Sequence, residues 1–271
     1  MKVFRVLCAL MVGSATCVYA ATSFDSNLGT ADEFAVLGAS TVTNTLTGVT
    51  IINGSLGVSP GSAITGFPPG IVTNGTIEAA TALAAQAQID ANDVFVSAAS
   101  AECQTDLTGQ DLGGLTLTPG SFCFDSSAGL TGILTLDAQN DPLSLFLFQI
   151  GSTLTTASSS SVQFLNGGQG GSVFFNVGSS ATLGTGTQFN GNIIAQVDIT
   201  LTTGANIGCG RAIALTGAVT LDSNLISNTS DDCLSTSSEV PEPSSAVLLL
   251  AVGLPGLGLA WFRRRSILAV R

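Results

Sequence analysis

Apolar and polar positions between Leu130 and Ile226 follow one short pattern that keeps returning. It reads Leu134-Thr-Leu-Asp-Ala-Gln, Thr153-Leu-Thr-Thr-Ala-Ser, Thr182-Leu-Gly-Thr-Gly-Thr, Thr200-Leu-Thr-Thr-Gly-Ala and Thr220-Leu-Asp-Ser-Asn. The anchoring leucines Leu136, Leu154, Leu183, Leu201 and Leu221 are 18, 29, 18 and 20 residues apart. An apolar residue follows a few positions later (Val162, Phe189, Ile207, Ile226), and apolar runs such as Leu145-Phe-Leu-Phe and Asn192-Ile-Ile-Ala lie between. Self-similarity near 20 residues, with β-formers and glycine turns, predicts a β-solenoid whose coils pair with those above and below. The long step is assigned to a Ser- and Gly-rich bulge, Ser158 to Gly171. Strands at similar spacing also suit a β-sandwich, but the recurring Thr-Leu frame favours the solenoid.

Upstream, Phe34-Ala-Val-Leu-Gly and Val49 to Gly61 read as strands and tight turns, and Ile64-Thr-Gly-Phe-Pro-Pro-Gly as a rigid connection. From Thr76 to Cys103 the period changes. Ile77, Ala80, Ala84, Ala87, Ala91, Val94 or Phe95, and Ala98 recur every three or four residues, predicting an amphipathic helix over about 76–103 with a small-residue face. Its length, about 40 Å, matches roughly eight coils stacked at about 4.8 Å, so the helix is expected beside the solenoid, parallel to its axis. The solenoid domain is expected over 21–228.

The ends read as processing elements. Residues 1–20 have a basic start (Lys2, Arg5), an apolar core and a Val18-Tyr-Ala cleavage site, which marks a signal peptide. Residues 229–245 are a Ser-, Thr- and Pro-rich linker. Residues 246–271 carry an apolar stretch to Phe262, just long enough to span a bilayer, and then Arg263-Arg-Arg, expected on the cytoplasmic side. Val240-Pro-Glu-Pro before the span resembles the PEP-CTERM sorting tail of Gram-negative bacteria. That resemblance implies an exosortase-type enzyme as a partner, transient membrane anchoring, and then the cell surface or extracellular space.

Without these ends, one cation remains, Arg211, among 18 acidic residues and no histidine. A body so acidic lacks the clustered cations that phosphates need, which excludes nucleic-acid binding. Cys103, Cys123, Cys209 and Cys233 form an even set in an oxidising compartment. Sequence proximity favours Cys103–Cys123 with Cys209–Cys233 among the three possible pairings. With no histidine and no close cysteine pair, no metal site or cofactor is expected. Catalysis is not expected either: Asp137, Asp141, Asp198 and Asp222 show no pairing for acid–base work, and Arg211 stands in a Gly-Cys-Gly-Arg turn.

Ile52-Asn-Gly-Ser-Leu-Gly-Val-Ser-Pro-Gly, the Phe-Pro-Pro-Gly turn, the alanine helix, Leu115-Thr-Leu-Thr-Pro-Gly-Ser-Phe, Leu147-Phe-Gln-Ile-Gly-Ser and Gly191-Asn-Ile-Ile-Ala together resemble the microbial ice-binding proteins, over about residues 30–228. The resemblance implies a mainly β, discontinuous three-sided solenoid with one long helix along its side, and N-terminal strands that complete it out of sequence order. It also implies a monomer that adsorbs to an ice crystal surface and inhibits ice growth and recrystallisation. A structural or adhesive role, with extracellular polysaccharide as partner, is the competing reading. Binding to ice calls for a flat, charge-free array, in which threonine offers a hydroxyl to ordered water and a methyl that excludes disordered water. Two ladders are candidates. One stacks Thr156-Ala-Ser-Ser (with Ser158), Thr185-Gly-Thr-Gln (with Thr187) and Thr203-Gly-Ala-Asn; the other runs through Thr153 and Thr155, Thr182, and Thr200 and Thr202. Period-2 parity admits only one of them outward, but coil corners reset that parity, and the choice stays open. Gly184 and Asp222 interrupt the pattern.

Overall fold

A computed structural model of the chain describes residues 24–45, 48–141, 143–168 and 172–229. The expected signal peptide, apolar span and most of the linker lie outside these residues. Among the described residues no helix is long and apolar enough to cross a membrane.

The chain enters through a 3₁₀ turn, Gly29–Glu33, and winds two full coils: β1 (Phe34–Gly38), β2 (Thr41–Asn44), β3 (Ile51–Asn53), then β4 (Ser55–Val58), β5 (Ala63–Thr65), β6 (Ile71–Thr73). A single strand β7 (Ile77–Ala79) leads into helix α1 (Ala82–Ala99). Beyond the helix come β8 (Thr105–Asp106), β9 (Thr116–Leu117), β10 (Gly120–Phe124), β11 (Ala128–Leu130), β12 (Ile133–Asp137), β13 (Phe146–Ile150), β14 (Leu154–Thr156) and β15 (Ser161–Leu165). The last coils hold β16 (Val173–Val177), β17 (Ala181–Leu183), β18 (Gln188–Phe189), β19 (Asn192–Ala195), β20 (Ile199–Leu201), β21 (Asn206–Ile207), β22 (Ala212–Ala214), β23 (Val219–Leu221) and β24 (Leu225–Ser227).

All strand pairs are parallel, and they form three sheets ordered β7-β4-β1-β22-β19-β16-β13-β10-β8, β11-β14-β17-β20-β23-β2-β5 and β6-β3-β24-β21-β18-β15-β12-β9. The N-terminal coils therefore stack onto the last coil: β1 pairs with β22, β2 with β23, β3 with β24. That arrangement leaves β7 at one end of the solenoid and β8 at the other, so α1 must carry the chain back along the stack. Its buried Ala84, Ala87, Ala91, Val94 and Ala98 share a cluster with Leu147, Phe174, Ile194, Ile213 and Leu37, one from each of five successive strands. The helix thus runs along the axis. It is shorter than the sequence suggests, 18 residues or about 27 Å. Ile77 and Ala80 keep the helical spacing, yet Ile77 pairs with Leu56 in β7 and Ala80 is left-handed at φ 53°. Thr81 then caps the helix by accepting from the Ala84 N–H at 3.3 Å.

The helix-covered sheet is buried on both faces, which accounts for its unbroken apolar strands. Inward, Phe148 stacks on Phe175 at 4.4 Å and 6°, flanked by Phe122 and Phe189. Outward, Phe34 and Leu37 crowd Gly57, where a Cβ would sit 2.5 Å from the Phe34 ring. The 29-residue step also resolves differently. Leu136 belongs to the third sheet, Leu154 stands opposite Ala181, and Ser161–Leu165 of the expected bulge is a strand paired fully with β12.

Candidate functional site

The second sheet is the regular one. Its strands read Leu-Thr-Thr, Ala-Thr-Leu, Ile-Thr-Leu, Val-Thr-Leu, Val-Thr-Asn and Ala-Ile-Thr, each with one threonine in the outward row; the inward neighbours are apolar except Thr156 and Asn44, and Ile64 is the inward residue of the last strand. Register pairs join these threonines into one row, Gly129, Thr155, Thr182, Thr200, Thr220, Thr43, Thr65. Six rungs in a row are threonine, at the strand spacing of about 4.8 Å. The four inner ones are half-buried by their neighbours, whereas Thr155, beside Gly129, and Thr65, at the other end, are exposed. No hydroxyl of these six hydrogen-bonds another group among the described residues.

Two flanking rows lie one outward position away on either side, about 6.8 Å along each strand. One holds Ser127, Thr153, Ser180, Asp198, Ala218, Thr41 and Ala63; the other Thr131, Ala157, Gly184, Thr202, Asp222 and Thr45. Seven rungs and three rows give a face about 29 Å by 14 Å. Its middle row is free of charge. The flanking carboxylates are engaged: Asp198 accepts the Ala218 N–H at 2.7 Å, and Asp222 the Thr203 hydroxyl at 2.5 Å. At the Gly129 end the row stops against Asp111, which accepts from Gly113 N–H, Thr131 N–H and the Thr131 hydroxyl. Burial pushes that carboxyl up, but the hydrogen bonds outweigh it and hold it below the usual aspartate range.

The structure splits the sequence candidates. Thr155, Thr182 and Thr200 form the middle row. Thr153 and Thr202 flank it, each satisfied within the protein, Thr153 donating to Ser127 Oγ at 2.8 Å and Thr202 to the Leu183 carbonyl at 2.8 Å. Ser158, Thr185 and Thr203 follow the corner between the second and third sheets, linked through Ser159 N–H to Thr185 O and Gly186 N–H to Thr203 O. Thr156 and Thr187 are not on a face. Both are buried and bond each other at 2.7 Å, and Thr156 also accepts the Gly184 N–H. A tight corner turns backbone groups inward, and a buried hydroxyl satisfies them where an apolar side chain could not. The row also holds Thr43, Thr65 and Thr220, which are not among the sequence candidates. Thr220 lies within the Thr-Leu repeat, but Thr43 and Thr65 reach the row only by out-of-order stacking.

The other faces are less suited to a regular array. The first sheet lies under α1, and the third presents Ile133, Ser161, Gln188, Asn206, Leu225, Ile51 and Ile71 in one row. Among the described residues no cluster could hold a metal ion. Cys103 and Cys123 are joined, tying the segment after α1 to β10. Cys209 is also in a disulfide, and its expected partner Cys233 lies outside the described residues.

The fold is a discontinuous parallel solenoid with a helical return, and residues 36–227 match one family of proteins: the chain belongs to the Ice-binding-like family. Residues 239–265 match the PEP-CTERM protein-sorting motif. The chain is 55% identical over 262 residues to an ice-binding protein of Nostoc sp. (strain HG1), covering 97% of this chain and 96% of the relative. Among solved structures it is similar to an ice-binding protein from an Antarctic biological consortium, with TM-score 0.70, 41% identity, and coverage of 80% of this chain and 95% of that one. An ice-binding protein of the Antarctic ascomycete Antarctomyces psychrotrophicus is similar at TM-score 0.70 and 40% identity, covering 75% and 98%.

Proposed function

We propose that this protein is exported and adsorbs to ice through the second sheet, slowing ice growth and recrystallisation. The observation that carries the reading is the row of six threonine hydroxyls, in register and unspent on the protein. Such hydroxyls can join an ordered water layer, and the methyls beside them favour release of disordered water. A charge in the row would hold its own hydration shell, and the row has none. Four aspartates considered for catalysis are occupied in turns or corners instead: Asp137 accepts the Gln139 N–H, Asp141 the Leu143 N–H, and Asp198 and Asp222 the groups named above. This supports binding rather than catalysis. The sorting motif supports a tail handled by an exosortase-type enzyme after transient anchoring, with release to the cell surface or medium.

The test is ice shaping and recrystallisation by the purified protein and by Thr182→Tyr with Thr220→Tyr. Faceted crystals and suppressed recrystallisation, both lost in the double variant, are expected. Unshaped ice around a correctly folded parent protein would overturn the reading.

A further inference from the structure

The sole lysine or arginine between Arg5 and Arg263 is not on the surface of this acidic body. Arg211 is 5% exposed and sits at the seam where the N-terminal coils meet the last coil. It immediately precedes Ala212 of β22, and its guanidinium reaches back to Asp32, two residues before β1. Nη2 meets Asp32 Oδ1 at 2.6 Å and the Asp32 carbonyl at 2.8 Å, Nε meets the same carbonyl at 3.3 Å, and Nη1 donates to Asn192 Oδ1 at 2.9 Å. Asn228, just past β24, donates to that carbonyl too, at 3.0 Å. One backbone oxygen thus gathers groups from both sides of the seam, the segment before β1 and the segments around β22 and β24.

We infer that Arg211, Asp32 and Asn228 form a clasp that positions the ice face, by fixing the register in which Thr43 and Thr65 continue the row beyond Thr220. The inference rests on the face assigned above. No peptide link joins the two coils at the seam, where register rests on short strands: β1 meets β22 at two register pairs, β2 meets β23 at three and β3 meets β24 at three. Slippage by one residue would turn Val42 and Ile64 outward in place of Thr43 and Thr65, because side chains alternate between faces. A planar fork bonded to groups on both sides opposes such a slip along the strands. A flexible ammonium presents no comparable geometry. Burying the cation costs free energy unless every contact is kept, so the correct register is also the one that satisfies it.

The test uses the whole chain with Arg211→Gln, the milder Asp32→Asn, the conservative Arg211→Lys, and Val162→Ala as a core control away from the seam. Amide exchange at Val36, Leu37 and Thr43 is expected to accelerate about 10- to 100-fold in Arg211→Gln, the equivalent of a lost charge-assisted hydrogen bond. Asp32→Asn should give a smaller change of the same pattern, with Leu154, Thr182 and Leu201 unaffected in both. Arg211→Lys should restore little of the protection. Thermal hysteresis should fall in Arg211→Gln to the level of Thr65→Tyr, with Thr65→Tyr adding nothing in that background, while Val162→Ala keeps full activity at the freezing point. If Thr65→Tyr costs the same factor in both backgrounds, or Val162→Ala loses as much activity as Arg211→Gln, the clasp is overturned. Failure of the face itself is a different result: Thr200→Tyr would be inert in the parent chain, and the proposal falls with it.

Discussion

Thr200→Tyr tests the face at its middle. Thr200 lies between Thr182 and Thr220, with Ile199 and Leu201 pointing inward. A tyrosine there stands proud of the neighbouring threonines, and a flat crystal plane can then meet only one side of it. The row is divided into Thr155 and Thr182 on one side, and Thr220, Thr43 and Thr65 on the other. At best three of six threonine rungs remain in contact. With about 0.8 kcal/mol for each methyl removed from water, losing three weakens adsorption by about 2.4 kcal/mol, or about 60-fold. The fold should tolerate the change, since tyrosine suits an exposed strand and outward positions shift stability by about 0.5 kcal/mol or less. The assay is thermal hysteresis against concentration, with circular dichroism melting as the check on folding. Thr135→Tyr on the third sheet is the matched control and should leave activity unchanged. Undiminished hysteresis in a folded Thr200→Tyr protein, or an equal loss in Thr135→Tyr, would refute the assignment.

Three further outcomes follow from the packing. Phe175→Ala removes the centre of the phenylalanine stack and should cost about 3–5 kcal/mol, read as a large fall in the melting midpoint; a loss under 1 kcal/mol would show that the stack is not central to stability. Replacing Cys103 and Cys123 by serine opens a crosslink with a sequence separation of 20, and denaturant melts should show about 3 kcal/mol less stability with the ice face still active. The Thr30 hydroxyl, with its N–H and Gln86, holds the Asp90 carboxyl below the usual range against the opposing effect of burial. A carboxyl made more acidic by folding stabilises the fold above its ordinary range and loses that contribution as pH falls below about 4. Protection of the Thr30 and Ala31 amides, taken relative to the intrinsic exchange rate at each pH, should therefore fall from pH 6 to pH 3, but not in Asp90→Asn; identical profiles would rule out this role.

Much of this was legible in one dimension. The alternation around Thr182, Thr200 and Thr220 marks strands with one buried side, and the unbroken run Val173-Phe-Phe marks a strand buried on both. The alanine spacing marks the helix face. Its first turn misled, because Ile77 and Ala80 continue the same spacing while forming a strand and a left-handed residue. At Thr156 and Thr187 composition misled in the same way: threonine is a sound reading for an outward ladder, yet each sits where a corner's backbone needs an internal partner.

Local pattern determined what each short segment would become, because side-chain alternation and helical spacing depend only on near neighbours. The tertiary structure alone decided which segments stand side by side. No repeat period relates Thr43 and Thr65 to Thr220, since these threonines are brought together by stacking across some 155 to 177 positions of sequence. Arg211 read alone is a turn residue; beside Asp32 and Asn228 it holds the seam. Continuity of the threonine row is a property of register between strands distant in the chain, and register is set by packing in three dimensions.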